Sequence, residues 1–152
     1  MSTASALRKL IPSVGPRVSV ALLILLLATG VAFMLHGAPK LAAPMSWGDD
    51  FTPFPGVPHI LQLCVTIAEN VGGPALILGV LTPLFTFMQI CDVGVVIFAV
   101  KAAHGMPYVG PQGKSWEIEA HLLIGSLVVL ICGPGLYSID AAFVAWRERR
   151  GR

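Results

Sequence analysis

Charge is what this chain has least of. Asp, Glu, Lys and Arg together make up 12% of its 152 residues, against 55% hydrophobic residues. A water-soluble domain carries about 25% charged residues, so this composition cannot coat a water-facing surface. Lipid has to be the solvent for much of the chain. The net charge of +2 is too small to hold a nucleic acid, and the basic residues collect at the two ends instead of lining a groove. Cysteine is scarce as well. Cys64, Cys91 and Cys132 form no C-x-x-C pair and each lies inside an apolar run, which reads as small buried hydrophobes and argues against a disulfide framework or a disulfide-forming quinone reductase. The chain has no Gly-rich phosphate loop, no G-x-S-x-G and no H-E-x-x-H, so the common nucleotide, serine-hydrolase and zinc-protease chemistries have no signature here.

What it has in quantity is long apolar runs. Four segments can each cross about 30 Å of hydrocarbon at about 1.5 Å per residue: residues 17–36, 57–81, 83–103 and 116–134. The fourth stops at Gly133-Pro134-Gly135, which joins the two residue types that end helices. Ser138 or Asp140 then caps a short final helix over residues 140–149, where Phe143, Val144 and Trp146 precede Arg147-Glu148-Arg149-Arg150. That tail has the make-up of a helix lying on anionic lipid. The expected fold is therefore all-α and membrane-embedded: one domain over residues 1–152, a four-transmembrane-helix bundle with a structured outer loop between helices 1 and 2 and a C-terminal interfacial helix. The first run, Val18 to Leu35, is 18 uncharged residues long, beyond the ~7–15 of a signal-peptide core, so it is expected to stay as an anchor.

Orientation follows from the basic residues. Of the ten, Arg8, Lys9, Arg17, Arg147, Arg149, Arg150 and Arg152 lie at the termini, leaving only Lys40, Lys101 and Lys114 for the other side. Both termini are expected in the cytoplasm of a bacterial-type cell, with the protein in its inner membrane. Trp47, Tyr108 and Trp116 mark the outer interface, Tyr137 and Trp146 the inner one. The loop after helix 1 carries Pro39, Pro44, Pro53 and Pro55 beside Trp47, Phe51 and Phe54. Its prolines stiffen it, as either an interfacial anchor or a lid over an outward pocket.

Two acids lie where acids are expensive. Glu69 is about 18 Å down helix 2, and Asp92 lies at a matching depth in helix 3. Intramembrane carboxyls face the bundle interior and mark function by default. Each avoids its charging cost by staying protonated or by sharing a proton with the other; a hydrogen-bonded clasp between the two helices is the structural alternative. Gln89 shares the face of Asp92. Gly72, Gly73, Ala75 and Gly79 follow Glu69 and either let two helix backbones touch or leave room for a flat ligand. The histidines His36, His59, His104 and His121 all fall in the outer half, and Glu117 shares a face with His121. Relay of protons from the outer surface and simple interfacial polarity are both open to them. No metal is expected, because no pair has a ligand spacing.

Three motifs resemble the DoxX family of small four-helix membrane proteins: His36-Gly37-Ala38-Pro39-Lys40-Leu41, then Glu69-Asn70-Val71-Gly72-Gly73 running on to Gly79, then an acid at the head of helix 4 followed by Gly133-Pro134-Gly135 and Ser138-Ile139-Asp140. The resemblance implies a fold like the quinone-reducing membrane subunit of thiosulfate:quinone oxidoreductase. It maps the family glutamate onto Glu69 and the helix 4 acid onto Glu117 or Glu119; Asp92 is not part of the pattern. Glu69 and Asp92 are the candidate proton-handling groups, and His36, Lys40, Gly73, Glu119 and His121 the candidate ligand-holding ones. The resulting expectation is a quinone-interacting membrane subunit of a redox complex, an accessory to a quinone-linked oxidoreductase, with the lipid bilayer and other subunits or further copies of itself as partners. A structural or assembly subunit and a small proton or solute transporter are the competing readings.

Overall fold

A computed structural model describes residues 14–49, 57–111 and 114–150. Helix α1 spans Pro16–Gly37, opened by a proline whose missing N–H costs nothing at a first turn. A 3-10 turn, Ala38–Ala42, follows. Helices α2, His59–Asn70, and α3, Gly72–Leu78, lie end to end. Helix α4 spans Thr82–Val95, continues as a π-helix over Val96–Lys101 and closes with a 3-10 turn at Ala102–His104. Helix α5 is Glu117–Cys132 and α6 is Ile139–Arg150. No strand occurs among the described residues.

The sequence leads one to expect an unbroken second helix over residues 57–81, and the structure differs at both its middle and its end. Pro74 has no N–H for the carbonyl of Asn70 and its ring crowds that carbonyl, so the helix breaks at Val71. It then stops at Leu78, because Gly79 turns left-handed at φ 62°. Val80 N–H reaches back to Ala75 O at 2.8 Å and Gly79 N–H to Leu76 O at 3.0 Å, the pair of bonds that satisfies a helix C-terminus.

Three stretches are long and apolar enough to cross a membrane: Pro16–Ala42, His59–Leu78 and Thr82–His104, of 27, 20 and 23 residues. Helix α5 is as apolar but has 16 residues, fewer than its expected span of 116–134, because the left-handed Gly133 ends it early.

The polarity of the bundle is inverted. Ile24, Leu35, Phe98 and Ile131 face outward, whereas Ser19, Gln62, Thr66, Glu69, Thr82, Thr86, Gln89 and Ser126 are buried. A soluble protein does the reverse. Apolar contacts inside the bundle form two clusters: Leu26, Leu76 and Val129, and Phe33, Val93 and Ile97 with Trp116, Leu122 and Leu123 packed against them. Cys64 and Cys91 are free and face outward, with Cys132 half-buried, so the expectation of buried thiols is corrected for the first two. An outward position in lipid accepts an apolar thiol as readily as a core does.

Helices α1 and α3 cross at two glycines. A β-carbon on Gly30 would meet Gly73 O at 2.7 Å, and one on Gly73 would meet Gly30 O at 2.8 Å. The backbones touch there, as small residues in membrane helices allow.

The C-terminal segment locks onto the α3–α4 turn. A β-carbon on Gly79 would collide with Ser138, and Asp140 N–H bonds Gly79 O at 2.9 Å. Ser138 Oγ accepts Ala141 N–H at 3.1 Å and so caps α6. On α6, Phe143 stacks on Trp146 and the Arg150 guanidinium lies 4.3 Å from the Trp146 ring centroid.

Candidate functional site: two lysine–glutamate pairs

The segment after α1 folds back along the first turns of α2. Gln62, fully buried, organises the contact. Its Oε1 accepts Gly48 N–H at 2.7 Å, and its Nε2 donates to Asp49 Oδ1 at 2.8 Å and Val57 O at 2.9 Å. Trp47 Nε1 donates to Gln62 O at 3.1 Å and Thr66 Oγ1 to Pro44 O at 3.1 Å. Phe51, Pro53, Phe54 and Pro55 lie outside the described residues.

This fold-back carries Lys40 to Glu69. The ammonium donates to Glu69 Oε2 and lies 4.6 Å from the centroid of the Trp47 ring. The Glu69 side chain is 6% exposed and that of Lys40 19%. Asn70, the next residue, ties the same place to α1: its Nδ2 donates to Gly37 O and to Thr66 O, both at 3.0 Å. A β-carbon on Gly37 would meet Glu69 Cβ at 2.7 Å, so α1 ends level with the acid. Asp92 is half-buried on α4, one turn after Gln89, whose Nε2 donates to Ala68 O at 3.2 Å beside Glu69.

The structure adds a partner that the sequence reading did not consider for Glu69. The partner of Glu69 is the Lys40 ammonium. Glu69 stands halfway along its own span, but the fold-back of residues 38–49 brings a cation to it. Sequence spacing could not reveal this, because Lys40 reads as a loop residue.

A second pair stands at the head of α5. Lys101 Nζ donates to Glu119 Oε1 at 2.6 Å and to Ser115 O at 2.7 Å. Their side chains are 14% and 16% exposed, and Glu119 Oε2 is buried with no partner among the described residues. This separates the two acids that the sequence leaves equivalent: Glu119 faces α4 and is paired. Sequence reasoning passed over Lys101 as one of three outer lysines. Its signal was its place at the end of a span whose one other charged residue is Asp92.

The remaining candidates do not converge. His36 is exposed at the end of α1. His121 is exposed, and its Nδ1 bonds the backbone oxygen of Glu117 at 2.6 Å in place of the expected side-chain pairing. His104 Nδ1 bonds Val100 O, and His59 lies 3.4 Å from Asp49 on the surface. No group of three His, Cys, Asp or Glu able to hold a metal occurs among the described residues. Gly73 is occupied by α1, with Met34 Cγ where its β-carbon would be. As a ligand position it is corrected to a helix-packing position.

Three residues of the first cluster thus carry one cation and two carboxyls. With both acids ionised the set has a net charge of −1, and one added proton makes it neutral.

A family model described as DoxX matches residues 21–102, a region that contains Lys40, Glu69, Gly73, Asp92 and Lys101 and stops before Glu119 and His121. No curated protein and no solved structure matches the chain. With more than half of its length under that model and apolar helices built to lie in lipid, the chain is a multi-pass membrane protein of the DoxX family.

Proposed function

We propose that this chain is the membrane subunit of a quinone-linked redox complex, in which Lys40, Glu69 and Asp92 supply protons to a quinone reduced at the outer end of the bundle. The observation that carries the reading is the buried Lys40–Glu69 pair, one turn of α4 from Asp92 through the Gln89–Ala68 bond. Reduction of a quinone consumes two electrons and two protons. In this reading the electrons come from a redox-active partner subunit. The first proton leaves the cluster and the second follows once the cluster has been refilled. A lysine ammonium is also a suitable donor to the quinone oxygen as negative charge builds there.

In this reading α5 is a fourth span, completed by the Gly133-Pro134-Gly135 segment. Both termini face the cytoplasm of a bacterial-type cell, the α2–α3 and α5 heads face outward, and α6 lies in the inner headgroup layer on anionic lipid. The loop of residues 38–49 covers the site. The same hydrogen bonds favour a second reading, in which the Lys40–Glu69 pair only pins that loop to α2 as part of an assembly subunit.

One experiment separates the two. The full chain is purified from its own membrane with its partners, its lipid extract is assayed for quinone, and reduction of a short-chain quinone is compared between parent and Asp92→Asn. Among the described residues Asp92 makes no hydrogen bond to the loop, so a pinning role predicts an unchanged rate. Co-purified quinone and a rate lowered by about 10²-fold or more, as for loss of a general acid, support the proton-handling reading. An unchanged rate in Asp92→Asn, or a complex that holds no quinone and reduces none, overturns it.

A further inference from the structure

Helix α4 carries a buried polar stripe that the cluster above does not use. Thr82, Thr86 and Gln89 follow one another at four and three residues, so they share a face. All are 1% exposed or less, as is Ser126 on α5. Thr82 Oγ1, Thr86 Oγ1, Gln89 Oε1 and Ser126 Oγ have no hydrogen-bond partner in the chain among the described residues. Polar atoms buried this deeply are satisfied in native interiors, and where the protein supplies nothing, ordered water does so.

We infer that the inner half of the bundle binds a file of water molecules along Thr82, Thr86, Gln89 and Ser126, and that this file links the inner surface to Glu69 and Asp92. The spacing fits water. Successive groups on α4 are about 6 and 4.5 Å apart along the axis, and one water bridging two polar atoms spans about 5.5 Å. Hydroxyls both donate and accept, so a water between two of them can reorient and pass a proton on. The ends of the file are placed for that use. At the inner end Thr82 sits beside the Asp140 carboxylate and the outward-facing Leu81. At the other end Gln89 Nε2 donates to Ala68 O at 3.2 Å, one residue before Glu69, and Asp92 follows Gln89 by one turn. Gly72 leaves the room that Gln89 takes: a β-carbon there would meet Gln89 Nε2 at 3.2 Å and Phe85 Cδ1 at 3.1 Å. Ser126 belongs to the same level, since its neighbour Gly125 lies against Thr29, one residue before the Gly30–Gly73 crossing.

The water file stands on these observations alone, whereas its use as a proton route rests on the proton-handling reading above. Two measurements on the full chain in lipid nanodiscs keep the halves apart. Radiolytic hydroxyl-radical labelling in ¹⁸O-water marks side chains next to bound water. Phe85 should be labelled in the parent and in Thr86→Ser, and lose its label in Thr86→Val/Gln89→Leu. No label on Phe85 in the parent, or a label unchanged in the double variant, overturns the file. Infrared spectroscopy after a jump from H₂O to D₂O then follows deuteration of the carboxyl band that disappears in Asp92→Asn. Exchange should slow about tenfold or more in the double variant, with Thr86→Ser close to the parent. Equal exchange rates overturn the route while leaving the file in place. Absence of any such band overturns the route together with the proton-holding reading.

Discussion

The carboxylate of Asp140 receives the N–H groups of Leu81 and Thr82, at 2.9 and 2.8 Å, across nearly 60 residues of chain. A helix N-terminus leaves donors unpaired and favours negative charge. Here the acid that meets both needs for α4 comes from the start of α6, while Ser138 does the capping of α6 itself. Leu81 is left-handed at φ 47°, an unusual conformation for its residue type, and its N–H is one of the two that Asp140 holds.

Asp140→Ala should therefore destabilise the protein by about 1–2 kcal/mol, the cost of losing a helix cap. Asp140→Asn, which keeps one acceptor oxygen, should lose less. Thermal unfolding in detergent followed by circular dichroism reads both. A melting curve for Asp140→Ala that overlays the parent's would show that the cap does not hold the turn.

The Lys40–Glu69 pair makes each partner costly to remove alone. Glu69→Gln leaves an ammonium without its carboxylate, and Lys40→Met leaves the carboxylate without its cation. Either change should cost up to about 3–5 kcal/mol, with the double variant Lys40→Met/Glu69→Leu well short of the sum. The measurement is a double-mutant cycle on unfolding in detergent. Additive losses would show that the two residues do not act on each other in the folded protein.

Gly30 and Gly73 leave no space for side chains where α1 crosses α3. Gly73→Ala forces the methyl group against a carbonyl oxygen and should cost about 1–3 kcal/mol, as overpacking does elsewhere. Gly94 has open space at its β-carbon, and Gly94→Ala should be stable or slightly stabilising, since it also removes a helix-weakening residue. Comparing the folded yields of the two variants in membranes tests this. Equal yields would mean that the crossing yields at no cost.

The basic asymmetry gives a topology that reporter fusions can read. Fusions after Arg152 and within Pro83–Leu84 should report cytoplasm, and fusions near Asp49 and Gly110 the opposite side. A reporter after Arg152 that reads as exported would refute the four-span arrangement.

Much of the helical frame is legible in the sequence because its causes are local. Pro16 opens α1, the uncharged run from Val18 to Leu35 fills it, and Gly133 closes α5. The small residues after Glu69 announce a close crossing, and Gly73 makes it. What the sequence hides is set by distant parts of the chain. Asp140 looks like a cap for the helix that it begins, yet it caps one whose first residue is Thr82. Lys40 looks like a loop cation until the loop folds down along α2. Glu117 and Glu119 are equivalent on paper, and only the position of α4 decides between them.

The π-helix at Val96–Lys101 sets that last choice through rotational phase. At about 100° per residue, a regular α-helix would swing residue 101 well past the line drawn by Thr82, Thr86, Gln89 and Val93. A turn closed by i→i+5 bonds winds less per residue and lets Lys101 drop back toward that line. Helical-wheel arithmetic started at Thr82 consequently misplaces everything beyond Val96. Deleting one residue between Val96 and Ala99 would relax the turn to α-helix and, at about 100° per residue, leave the lysine on that line, so its pair with Glu119 should survive a change that shortens the helix.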